Sequence, residues 1–300
     1  PGQSHPSRRK TGSVLSGGCR FAGWNFAPCV FCSGEVQVMD LAISPCPNDT
    51  FIFCHLMRAM PELQLVFADV EELNQRALFE KKHDLSKLSF YAILRAKGYT
   101  LLDCGGAMGQ GCGPILLYGK KSSGKISDLK RILTPGKYTT AALLLDLFLA
   151  ENHPDPASVE RIPVRYDKIL PALGEEQAGV IIHEERFTYP SYGAVKAQDL
   201  GEWWEKSTGL PIPLGGIVIR DNLLNRKSEI ESKIRDSLRA AWKDPESVKD
   251  FVKCYSQSLE DSVIQSHIDL YVNRYTESLG EDGMRALDAL RQKAERAGLL

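Results

Sequence analysis

The feature that most constrains this chain is an alternation that begins near Met39 and runs to Arg220. Short apolar runs bounded by Pro, Gly or Asp take turns with stretches of helical period. That pattern argues for an α/β protein rather than a bundle or a β-sandwich. Val38–Ser44 reads as a first strand, broken by Pro45 and Pro47, with Asn48 or Asp49 placed to cap a helix from Thr50 to Ala59. Leu63–Ala68 reads as a strand and Val70–Lys82 as a helix. Leu85–Phe90 reads as a strand leading into a helix at Tyr91–Lys97. Further strands are expected at Ile115–Tyr118, Arg131–Leu133, Val180–His183 and Leu214–Arg220, and helices at Thr139–Glu151 and Asp199–Ser207.

From Lys227 to Leu300 the pattern is helical, with Pro245 and Gly280 as interruptions. A strand returning at Leu214 after a second run of α/β units predicts two lobes with a cleft between them. The expected boundaries put residues 39–118 and 214–300 in one lobe and 119–213 in the other, with crossings near Tyr118–Lys121 and Pro211–Leu214. Ligands of such proteins sit at strand carboxyl ends and helix N-termini.

Residues 1–38 read differently. They are rich in Gly, Ser and Pro, carry Arg8, Arg9, Lys10 and Arg20 against Glu35 alone, and have no apolar core long enough for a secretory signal. The expectation is a disordered leader. Of eight cysteines, Cys19, Cys29 and Cys32 fall there. The remaining five are scattered, which predicts reduced thiols and a cytoplasmic protein. Cys29-x-x-Cys32 alone is a weak metal or redox signal.

The balance of 37 basic and 38 acidic residues, a net −1, lacks the basic excess of a nucleic-acid binder, so nucleic acid is not an expected partner. No run of apolar residues is long enough for a membrane span, so no membrane insertion is expected. A small-molecule substrate is the partner the cleft calls for.

Four segments carry more chemistry than scaffolding needs. Ser44–Thr50 (SPCPNDT) is a rigid loop at a strand's carboxyl end, which makes Asn48 a candidate ligand contact, although taken by itself the segment reads first as a plain turn with a cap. Asp84–Phe90 alternates Ser and Lys with Leu, so Ser86 and Ser89 are candidate donors to an anion, or else part of a solvated edge. Pro135–Ala141 (PGKYTTA) opens an apolar helix, where Thr139, Thr140 and Ala141 offer hydroxyls and free N–H groups to a carboxylate. Ordinary Thr capping explains it too. The fourth, Ala178–Tyr189, closes a strand with His183 and follows it with Glu184, Glu185 and Arg186. Most lone histidines are structural; one at a strand end beside a cleft suits a general base near neutral pH.

Dinucleotide, P-loop, zinc-protease and nucleophile-elbow motifs are all missing. Gly105–Gly113 is glycine-rich without matching a phosphate loop. Six stretches together, ISPCPNDTFIF, ADVEELNQRAL, DLSKLSFYA, GCGPILL, PGKYTTAALLL and AGVIIHEERFTY, resemble the 1,4-dihydroxy-6-naphthoate synthase family of the futalosine route to menaquinone.

The resemblance implies a two-lobed fold like type II periplasmic solute-binding proteins, here with a C-terminal helical region. It implies a carbon-carbon lyase that splits the sugar-derived part from cyclic dehypoxanthinyl futalosine. It also implies no metal and no organic cofactor, the histidine of VIIHE (His183) as base, and a ligand carboxylate held by the SKLS serine and the Thr-Ala of the helix start. Ser86 or Ser89, and Thr139 or Thr140 with Ala141, fill those places. Two other readings compete: a solute-binding protein for a small carboxylate, and the related chorismate dehydratase of the same pathway. The SPCPNDT loop and the VIIH segment favour the lyase.

Overall fold

The computed structural model describes residues 38–174, 176, 178–256 and 260–300. The expectation of a disordered leader and the CxxC pair therefore lie outside the described residues, Val38 excepted.

The chain opens with β1 (Met39–Ile43), then α1 (Pro47–Phe53) and α2 (Leu56–Ala59). The strand ends ahead of Pro45, as read, and the helix begins at Pro47 rather than at Thr50. Pro47 sits at the first helical position, where its missing N–H is no loss, and Cys46 takes the N-cap expected of Asn48 or Asp49. Next come β2 (Leu63–Phe67), α3 (Val70–Gln75), which continues as a π-helical turn to Glu80, β3 (Leu85–Ser89) and α4 (Phe90–Arg95). The short strands β4 (Tyr99–Leu101) and β5 (Ala107–Gly109) were not legible in the sequence pattern, being only three residues each.

β6 (Ile115–Tyr118), β7 (Arg131–Thr134), α5 (Thr140–Asn152), β8 (Glu160–Pro163), α6 (Ile169–Ala172), β9 (Ala178–Ile181), α7 (Glu185–Thr188), β10 (Val195–Asp199) and α8 (Leu200–Thr208) follow. The chain ends with β11 (Ile212–Arg220) and the helices α9 (Lys227–Lys243), α10 (Glu246–Tyr255), α11 (Asp261–Tyr271), α12 (Arg274–Glu277) and α13 (Gly280–Arg296).

These strands form two sheets. The first has the order β2-β1-β3-β11-β4, with β5 also paired to β11; the second has the order β10-β6-β9-β7-β8. β11 runs antiparallel to β3, with Gly215 opposite Ser89 and Val218 opposite Ser86, so the late strand does return to the first sheet. The expected boundary at residue 118 is corrected, however. β6 pairs antiparallel with β9 and β10 in the second sheet, so the chain crosses over residues 110–114, ahead of β6. A local pattern marks a strand but not its partner. Gly113 explains how this crossing packs: a Cβ there would lie 2.3 Å from Gly201 Cα, so only glycine lets the chain pass the start of α8.

α5 is apolar and buried along most of its length, Asp146 excepted, which pairs with Arg161, as expected of a helix enclosed on most sides. It packs against β9 of one sheet and β11 of the other, and against α4, α8 and α13. Its N-terminus therefore opens at the junction of the two sheets.

Cys46, Cys54, Cys104 and Cys112 are buried free thiols, as read from the sequence. No helix among the described residues is long and apolar enough to cross a membrane.

Candidate active site

A pocket between the sheets is lined by Ser44, Asn48, Asp49, Lys87, Ser89, Thr139, Thr140, Ala141, His183 and His267, with Cys112, Leu214 and Tyr271 among its other walls. Its free volume is about 90 Å³. Of the residues proposed from sequence, Asn48, Ser89, Thr139, Thr140, Ala141 and His183 meet here. Ser86 does not. It pairs with Ala42 and Val218 in the sheet, on the face of the cluster Ala42–Leu88–Val218, and its hydroxyl bonds to Lys87 O at 3.3 Å. Strand alternation puts Lys87 and Ser89 on the opposite face, towards the pocket.

The floor is a saturated carboxylate. Asp49, wholly buried, accepts Lys87 Nζ (2.6 Å) and Asn48 Nδ2 (2.9 Å) on one oxygen. Its other oxygen accepts Ser44 Oγ (2.7 Å) and Ser44 N (3.3 Å). A buried pair holds only when its remaining lone pairs and protons are met, and here Lys87 Nζ also donates to Gly105 O at 3.3 Å.

At the α5 end, Thr139 is the N-cap and accepts Ala142 N at 3.2 Å. Thr140 Oγ1 donates to Leu214 O at 2.7 Å and accepts Tyr91 N at 3.3 Å, so this hydroxyl ties α5 to α4 and β11. Ala142 N and Leu143 N turn back to Thr139 O. Among the helix's first donors, the N–H groups of Thr140 and Ala141 are left to face a ligand. Ser89 stands beside them: its N–H and Oγ both bond to the Asn74 amide, at 2.9 and 3.1 Å. Glu71 receives Lys137 N (3.0 Å) and Tyr138 N (2.9 Å), fixing the Pro-Gly turn ahead of α5 to α3 of the first sheet.

The histidine end is the reverse. His183 lies two residues beyond β9 rather than closing it, with φ +57°, a left-handed conformation that costs a non-glycine residue about 1–2 kcal/mol. Such an outlier persists where the surroundings impose it. Here Arg186 pins the following turn, bonding to Gly113 O and to Asp199, each at 2.6 Å. The His183 ring meets the Tyr166 ring edge-on at 4.7 Å, and its Nδ1 lies 3.2 Å from Cys46 Sγ. Its Nε2 is buried without a partner.

Burial pulls the His183 pKa down from 6.5 to about 4, with Asp49 opposing and Lys87 assisting, so the ring is neutral at ordinary pH. The sequence reading, an unperturbed base near 6.5, missed this desolvation. Burial likewise pushes Glu184 up to about 7 and raises the Cys46 thiol well above its ordinary value.

Ligand atoms of Cys46, His183 and Glu184 lie within 4.8 Å of one another. The donor types suit a zinc-like ion. The raised thiol and carboxyl favour protonated forms that would have to be displaced by it.

Sequence reasoning missed Asp49, Lys87 and His267 as wall residues. His267 sits inside a helical pattern far from every motif, where only its place four residues before Tyr271 on one helix face marks it.

A family model described as menaquinone biosynthesis matches residues 39–296. The chain belongs to this family. Its relatives include a 1,4-dihydroxy-6-naphthoate synthase of Thermus thermophilus, 42% identical over 276 residues, covering 88% of this chain and 96% of the relative. One of Streptomyces coelicolor is 40% identical, covering 89% and 96%. Among solved structures, a protein of Archaeoglobus fulgidus superposes with a TM-score of 0.80 at 31% identity, covering 89% of this chain and all of that one. An alkanesulfonate-binding protein of Xanthomonas axonopodis pv. citri, bound to MOPS, matches with TM-score 0.68 at 13% identity over 89% and 96%. The last likeness carries the fold alone: this member of the menaquinone-biosynthesis family has the architecture of periplasmic binding proteins.

Proposed function

We propose that this chain is a lyase that converts cyclic dehypoxanthinyl futalosine to 1,4-dihydroxy-6-naphthoate, with His183 as general base. The observation that carries the reading is one pocket that joins an unpartnered, neutral histidine to the open N-terminus of α5. The two relatives, named for making 1,4-dihydroxy-6-naphthoate, support the product side of this reading. An aromatic carboxylate fits the N–H groups of Thr140 and Ala141 with the Ser89 hydroxyl, where the helix dipole adds favourable potential.

In this scheme His183 carries its proton on Nδ1, directed at Cys46 Sγ, which frees the Nε2 lone pair for the substrate. Releasing the sugar-derived part requires loss of a proton as the second aromatic ring develops, and Nε2 takes it. The imidazolium so formed is favoured by the Asp49 charge, which acts to raise the His183 pKa. A free volume of about 90 Å³ cannot enclose a substrate of this size, so the walls part on entry and close on the ligand. The natural setting of the reaction is the cytoplasm, and the residues before Met39 are dispensable for it.

Purified protein incubated with cyclic dehypoxanthinyl futalosine should release 1,4-dihydroxy-6-naphthoate, seen by chromatography. Binding of the substrate without any product would favour a solute-binding role instead. Turnover of chorismate in its place would assign the chain to the neighbouring dehydratase step.

A further inference from the structure

His267 on α11 is the second histidine of the pocket, 1% exposed, and the proposed mechanism gives it no task. Its Nε2 lies 3.0 Å from Asn48 Oδ1, while its Nδ1 is buried with no partner. The tautomer follows from a chain of bonds. Asp49 is a carboxylate and only accepts, so Asn48 must turn its NH₂ to Asp49 Oδ1, 2.9 Å away. That leaves Asn48 Oδ1, also an acceptor, facing His267, so His267 Nε2 carries the hydrogen. Burial, with help from His183 and Lys87, holds the His267 pKa well below 6.5 and the ring neutral. The remaining nitrogen, Nδ1, is then a bare lone pair in an enclosed, otherwise walled site. The rings of Tyr271, at 4.5 Å, and Phe187, at 6.4 Å, bound the histidine on its other sides.

An unpaired buried acceptor is destabilising, and a ligand donor recovers that loss. A second carboxylate would set acceptor against acceptor. A cation would meet the Lys87 ammonium nearby. A neutral O–H satisfies the lone pair without either penalty. We propose that His267 Nδ1 accepts a hydrogen bond from a hydroxyl of the ligand, so that Asn48 and His267 form a hydroxyl-reading subsite distinct from the carboxylate site at α5. This rests on the lyase reading for its ligand: the hydroxyl belongs to the sugar-derived part, since a substrate that has lost its purine has no N–H to offer. His267 thereby sets which sugar configuration is accepted and holds the fragment in place as it leaves.

Two measurements on the full chain test it. Side-chain ¹⁵N NMR, assigned by comparison with His267→Phe, should show His267 neutral and protonated on Nε2 at neutral pH; protonation on Nδ1 overturns the proposal. Calorimetric binding in the His183→Asn background should then compare substrate with its monodeoxy analogues. One analogue should bind about tenfold more weakly than substrate, and His267→Phe should erase that difference. Asn48→Leu, which releases the tautomer lock, should reduce it and serves where the phenylalanine variant fails to fold. Discrimination retained in both variants overturns the subsite. If the His183→Asn protein binds no substrate at all, the lyase reading falls. The subsite is then decided by whether millimolar ribose shifts the His267 Nδ1 resonance: movement supports it, and none overturns it.

Discussion

The two ends of the pocket are built on opposite principles. At the α5 end every polar side chain has a partner inside the protein: Thr139 caps the helix, Thr140 ties it to β11 and α4, and Ser89 rests on Asn74. What it offers a ligand is backbone N–H, fixed in direction by the helix itself, and the proton of a Ser89 hydroxyl that Asn74 holds in place. At the other end, buried atoms of three side chains, His183 Nε2, Glu184 Oε1 and His267 Nδ1, have no partner. Unsatisfied buried groups each cost about 1–3 kcal/mol, and His183 adds a strained backbone. One end binds with parts that folding already uses. The other holds reactive groups in readiness at the expense of stability, as functional sites do.

His183→Asn breaks this contrast most sharply. Asn tolerates a positive φ and keeps some polarity, so the variant should be as stable as the parent or more so, while kcat falls roughly 10²–10⁴-fold. In the parent, kcat/KM should keep its acid limb near pH 4, the value burial gives His183, rather than near 6.5. A folded variant with near-full activity would make the histidine end scaffolding.

The second largest effect concerns stability against pH. Burial raises Glu184 from 4.5 to about 7 and Glu185, with Asp167 and Glu184 adding to burial, to about 8. Above pH 4.5 the unfolded chain has released protons that the native state still holds, so stability declines as pH rises, until both native pKa values are passed. His183, depressed from 6.5 to about 4, acts in the opposite direction below pH 6.5. The clean window is therefore pH 6.5 to 8, below the range where the buried cysteine thiols, raised by burial, add to the decline. Across it the native protein should lose on the order of 2–3 kcal/mol, several degrees of Tm. Glu185→Gln should remove most of that slope and Glu184→Gln a smaller part. A Tm rising through that window would contradict the burial of this pair.

The same contrast explains what could be read from the sequence. The α5 end is local: a Pro-Gly turn, two threonines and an apolar helix are contiguous, and they were legible as an anion site. His183 is legible as a residue, but neither its strain nor its neutral state is, because the turn that holds it is pinned to Gly113 and Asp199 and the neutral state comes from burial against groups such as Cys46 and Tyr166, distant in sequence. Lys87 was read as part of a polar strand face; its pairing with Asp49 across 38 positions depends on β1 and β3 being neighbours. His267 was passed over for the same reason. β6 is legible as a strand but its sheet is not, since pairing is decided by β9 and β10, which come later in the chain.

Thr140→Val sharpens the comparison at the satisfied end. The hydroxyl is committed to Leu214 O and Tyr91 N, and its loss leaves a buried N–H and a half-buried carbonyl short of a partner. Stability should drop by about 1–2 kcal/mol, read by denaturant midpoint. KM should change less than stability does, because the carboxylate is held by N–H groups that valine retains. A large KM increase at unchanged stability would show the hydroxyl itself to be the ligand contact.

The smallest effect separates two serines. Ser89 Oγ accepts from Asn74 and faces the pocket with its own proton free to donate, whereas Ser86 lies on the other face of β3 among Ala42, Leu88 and Val218. In Ser89→Ala, Asn74 Nδ2 keeps Tyr138 O at 3.2 Å, so the fold loses little. One hydrogen bond to a carboxylate goes, and KM should rise about three- to tenfold, an effect on the order of 1 kcal/mol. Ser86→Ala should leave KM within about twofold, because its hydroxyl serves only the carbonyl of the next residue. Equal effects from the two substitutions would mean that the strand's face does not decide which serine meets the ligand. A larger effect from Ser86 would reverse the register on which the carboxylate end is built.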